Sequence, residues 1–117
     1  MKKINDVTYE VQPDERITIR VTPTDFGDSL SSVEAVLDKK KLPNSGTEDA
    51  PVFKFTVTKP VGKRHRVFIE FTFLSDSPDE ACYQVQISGQ NDEGCPCEFS
   101  ICKTDNAKGV NIGFDVV

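Results

Sequence analysis

Arg66-Val67-Phe68-Ile69-Glu70-Phe71-Thr72-Phe73-Leu74 is the stretch that decides the fold. In an extended chain successive side chains point to opposite sides, so Val67, Ile69, Phe71 and Phe73 share one face. Arg66, Glu70 and Thr72 share the other. A helix would scatter the same apolar residues around its circumference. Valine, isoleucine and phenylalanine also suit the pleated, half-buried surface of a sheet. The segment reads as a strand with one face in a core.

The same period of two recurs along the chain. Arg16-Ile17-Thr18-Ile19-Arg20-Val21-Thr22 sets Ile17, Ile19 and Val21 on one side, and Val52 to Thr58 does so with Phe53, Phe55 and Val57. Tyr83, Val85 and Ile87 follow the pattern, then Phe99 with Ile101, and Ile112 with Phe114 and Val116. Residues 7–12 and 33–38 are shorter candidates. Turn clusters rich in Gly, Pro, Asn and Asp separate them, at 13–15, 26–29, 43–46, 60–63, 75–78, 91–94 and 105–109. About eight strands at this spacing predict an all-β antiparallel sandwich of seven to eight strands. Residues 39–51 read as an exposed, mobile loop, and 29–37 offer one or two helical turns capped by Ser29 or Ser31 as an alternative to a strand. His65, inside Gly62-Lys63-Arg64-His65-Arg66, reads as part of a solvated basic hairpin.

The 117 residues are 37% apolar and 28% charged, which fits one globular domain over 1–117. A net charge of −5 argues against duplex nucleic acid as a general partner. No apolar run is long enough to span a bilayer. Met1-Lys2-Lys3 looks like the start of a signal peptide, but the polar, alternating residues after it lack the apolar segment a signal needs. A cytoplasmic chain and a mature fragment of a secreted one both fit.

Asp79-Glu80-Ala81-Cys82-Tyr83 has the form D-x-A-x-Y and leads into Val85 and Ile87. It resembles the tyrosine corner that opens the sixth strand of immunoglobulin-like domains. The resemblance implies an immunoglobulin-like sandwich with Tyr83 buried and its hydroxyl bonded to backbone near residues 76–79. The usual inter-sheet cysteines and core tryptophan are missing, so the likeness is to disulfide-free relatives such as fibronectin-type or bacterial modules. In that topology the second, fourth and fifth strands share one sheet, and Arg16, Arg20, Lys54, Arg66 and Phe68 form a basic outer face.

Cys82, Cys95, Cys97 and Cys102 crowd into the last third. A hairpin centred on Asp92 sets Val85 opposite Phe99, Tyr83 opposite Ile101 and Ile87 opposite Cys97. A one-residue slip would send half of these side chains to solvent. Cys82 then faces Cys102 as an outward pair, Cys97 points toward the core and Cys95 sits in the loop. Free thiols, a Cys82–Cys102 disulfide and a zinc site on Cys95-x-Cys97 all remain open.

No nucleophile elbow, phosphate loop or zinc-protease motif occurs, and a single imidazole leaves little acid–base chemistry. The expected function is a non-enzymatic binding or interaction module, one domain of a larger surface or secreted assembly, with a protein or polysaccharide partner and no cofactor or metal. The alternative is a small cytoplasmic metal- or redox-responsive protein using the cysteine cluster. Loops on a rigid sandwich are where such domains place recognition. Phe26, Lys63, Arg64, Asn91 and Asp92, from loops expected at one end, combine an aromatic anchor, an amide and charges of both signs. Those residues are the candidate ligand surface, and the basic outer face is its rival.

Overall fold

Two facing sheets make up a computed structural model of the chain, described over residues 1–23, 30–58, 60–91, 94, 96–105 and 109–117. One sheet holds β1 (Lys2–Asn5), β2 (Thr8–Val11), β10 (Gly109–Val116), β7 (Arg64–Phe73), β4 (Leu30–Leu37) and β5 (Lys40–Lys41), in that spatial order. The other holds β6 (Val52–Thr56), β3 (Arg16–Pro23), β8 (Cys82–Gly89) and β9 (Cys97–Cys102). β10 runs parallel to β2, and the other ladders among the described residues are antiparallel. The all-β expectation holds, with β1 and β5 as short additions and a strand, not helical turns, over residues 30–37.

Alternation places the core where the sequence puts it. Ile17, Ile19 and Val21 from β3, Val67, Ile69 and Phe71 from β7, and Ile112, Phe114 and Val116 from β10 are all buried. Aromatic rings lock one sheet to the other. Phe114 stacks on Tyr9 with centroids 5.6 Å apart and meets Phe55 of the facing sheet edge-on at 5.3 Å. Tyr83 is buried against Phe71 and Phe73, 6.0 and 5.8 Å away. Such pairs contribute about 0.5–1.5 kcal/mol each beyond their burial.

Tyr83 is therefore buried as expected. Three of the carbonyls that the resemblance offers to its hydroxyl, those of Ser77, Pro78 and Asp79, each accept from another donor. Lys103 Nζ donates to the Ser77 carbonyl at 2.7 Å, and the Thr104 and Ala81 amides donate to Asp79 and Pro78. The strand allocation also needs correcting. β8 lies beside β3, and β7 lies in the opposite sheet between β10 and β4. Alternation tells which face of a strand is wet, but it does not choose its neighbours.

Residues 39–51 are exposed as expected apart from Leu42 and Pro51, but the segment is tied down by hydrogen bonds. β5 pairs Lys40 and Lys41 with Leu37 and Val36, and Leu42 is buried with its amide donating to the Ala35 carbonyl. The Asn44 carboxamide then organises the return. Its Oδ1 accepts from the Gly46 and Val52 amides, and its Nδ2 donates to the Thr47 carbonyl at 3.0 Å. A Cβ on Gly46 would run into the Ala50 carbonyl, so only glycine fits there.

Candidate functional site

Of the five residues expected to form the recognition surface, Lys63, Arg64 and Asn91 are described. Phe26 and Asp92 lie outside the described residues. Pro23 and Leu30, which bracket Phe26, pair with Tyr83 and Phe73. Arg64 and Gly89, which lead to Lys63 and Asn91, stand at the opposite end of the strands beside Asp115 and Ile17. Of the described members, Lys63 and Asn91 are exposed, and the Lys63 carbonyl accepts from the Val116 amide. Arg64 grips Asp115 with Nε on one carboxylate oxygen and Nη2 on the other, the second bond at 3.0 Å. That pairing raises the Arg64 pKa and commits its guanidinium to its own chain.

The rival basic face is divided between the sheets. Arg16, Arg20 and Lys54 lie on the sheet that also carries Gln84, Gln86 and Glu98, and the Glu98 carboxylate accepts from both glutamines at 2.9 and 2.7 Å. Arg66 and Phe68 lie on the other sheet. Phe68 is only 38% exposed because its ring lies across the backbone at Gly109, where any Cβ would strike it. An exposed strand aromatic here covers a glycine.

His65 is buried, which the sequence reading missed. Its odd number continues the inward row of Val67, Ile69 and Phe71, and that parity was the available signal. Nδ1 lies 2.5 Å from Asp38 Oδ2, and the other Asp38 oxygen accepts the Arg66 amide at 3.0 Å. Asp38 sits at φ 46° in the two-residue turn between β4 and β5, a conformation that aspartate tolerates. Burial pushes its carboxyl up, but the Arg66 amide, the His65 ring and Lys63 together hold it below its ordinary value. Nε2 of His65 is buried without a hydrogen-bond partner among the described residues. The pair therefore fixes a turn to the core, since a general base needs its second nitrogen within reach of a substrate.

An open groove of about 580 Å³ lies elsewhere, along the outer edge of β4. Ser32, Val33 and Glu34 form one wall, and the Asn44-organised segment with Glu48 and Asp49 forms the other. Leu42, Pro51 and Phe53 supply apolar lining between them. β5 is two residues long, so among the described residues no strand lies beside Ser32, Val33 or Glu34 on that side. The Ala35 carbonyl points outward to Leu42, and backbone direction alternates along a strand, so the amide and carbonyl of Val33 also face the groove. Glu34 is paired with Lys41 at 3.0 Å. Alternation does not reveal the groove, because the segment that forms its second wall carries no strand. Asn44 two residues before Gly46 is the turn signature that marks it as ordered.

Cys82 and Cys102 form a disulfide, with Cα atoms 4.0 Å apart. Cys97 is free and half-buried, and Cys95 lies outside the described residues. Among the described residues no group of three or more His, Cys, Asp or Glu side chains is placed to hold a metal, and no helix is long and apolar enough to cross a membrane. No family model, curated protein or solved structure matches the chain.

Proposed function

We propose that the chain is a non-enzymatic interaction module, a sandwich akin to immunoglobulin-like domains, that holds a protein partner in the groove beside β4. The groove carries the reading. It joins apolar lining to charged rims and an open strand edge, which are the elements of a recognition site on a rigid frame. The likeness to immunoglobulin-like modules is supported by buried Tyr83 after Asp79-x-Ala81 and by the paired sheets; the strand order is the chain's own. A disulfide persists in oxidising compartments, which favours one domain of a surface or secreted assembly. The same bond favours the second reading, a small redox-responsive protein, whose test depends on what reduction does to β9.

The test is selection of random peptides displayed on phage against the immobilised chain. Peptides should enrich on the native chain and not on Ser32→Trp, which plugs the groove from an exposed position. Equal enrichment on both would place recognition elsewhere.

A further inference from the structure

We infer that the occupant of the groove is an extended segment of another protein, alternating apolar and basic residues, that adds to β4 as a strand. The inference rests on the interaction-module reading and names its partner. Three observations converge. The edge offers backbone that nothing in the described structure uses, since the Val33 amide and carbonyl face outward past the end of β5. An added strand would satisfy them with main-chain hydrogen bonds, the usual source of affinity when a peptide extends a sheet. Side chains of such a strand alternate in direction, so one set turns toward Leu42, Pro51 and Phe53 and must be apolar.

Charge selects the other set. Glu34, Glu48 and Asp49 stand against one lysine, Lys41, which is already bonded to Glu34. Glu48 and Asp49 have no ion pair among the described residues, so lysine or arginine side chains complement this rim. A second copy of the chain would bring the same acidic rim against itself, and like charges facing each other across strands are destabilising. The free edge is thus shaped for a foreign basic strand and set against self-pairing, the hazard that open edges otherwise carry.

The experiment titrates the full chain with capped peptides and follows backbone amide shifts. The probes are an alternating lysine–valine peptide, its glutamate–valine counterpart, and two lysine–valine peptides N-methylated on the lysine or on the valine amides. The expected result is binding of the lysine–valine peptide with shifts at Ser32 to Glu34 and Leu42. Binding should weaken by roughly tenfold or more with glutamate in the peptide, or with Glu48→Gln and Asp49→Asn in the chain. One methylated peptide should lose binding and the other keep it, because only alternate amides face β4. Binding by both methylated peptides, or equal binding of the glutamate peptide, overturns strand addition by a basic segment while leaving the groove a binding site. No shift with any of these probes, while phage-selected peptides still require an open groove, overturns the named partner alone. Self-association through β4 would identify a second copy as the occupant and also overturn it. Failure of phage selection to depend on the groove overturns the reading beneath.

Discussion

Asp38 shows how much one side chain can settle. It turns the chain at positive φ, accepts the Arg66 amide and holds the His65 ring. Its carboxyl lies below the ordinary value of 3.8 in the folded chain. The unfolded chain therefore takes up this proton first as the pH falls. The stability that the ionised group contributes is fully present above the unfolded value and is lost as the pH drops through the folded one. Asp38→Asn keeps a residue that tolerates the left-handed turn but removes the charge. Urea unfolding across pH should show the native chain more stable than this variant near neutrality, with the gap closing below about pH 4. A gap that stays constant into acid would mean the turn geometry, not the charge, is what Asp38 supplies.

At the scale of elements, β9 depends on few neighbours. Its only ladder among the described residues is to β8, Phe99 on it is half-buried, and the disulfide pins its last residue. The cysteines are 20 residues apart, and closing a loop of that size in the unfolded chain stabilises the fold by about 3 kcal/mol. Cys82→Ser with Cys102→Ser should cost about that much. Hydrogen exchange should quicken in β9 while β3 and β6 stay protected. Reduction should do the same, as the redox-responsive reading requires; unchanged exchange in β9 would remove that reading. The β8–β9 register was legible in advance because Val85, Ile87, Phe99 and Ile101 tolerate only one pairing, and the ladder sets Cys82 opposite Cys102 as that register demands. The company of β8 was not legible, since a strand with one apolar face fits either sheet equally well. Nor was the groove, because an open edge is made by the shortness of β5 and by how Asn44 folds the chain back. Alternation records neither.

For the whole molecule, the decisive join is between its two ends. β10 lies between β2 and β7, so the first sheet is continuous only when residues near the C-terminus pair with Thr8–Val11. Such a contact spans almost the whole chain and must be made against a large loss of chain entropy. Once made, it brings Phe114 onto Tyr9 in its own sheet and Phe55 in the other, so a single ring holds both the closure and the sheet-to-sheet packing. Phe114→Ala should cost about 3–5 kcal/mol, as truncation of a fully buried aromatic does. Asn111→Ala, on an exposed position of the same strand, should fall within about 0.5 kcal/mol of the native chain. Both are read from denaturant midpoints at constant slope. If closure by β10 comes late in folding, Phe114→Ala should act mainly by speeding unfolding, because contacts absent from the transition state appear in that rate. Slower folding with unfolding unchanged would instead put the β2–β10 join in the nucleus, and equal losses from both variants would mean β10 does not present alternate faces to core and solvent.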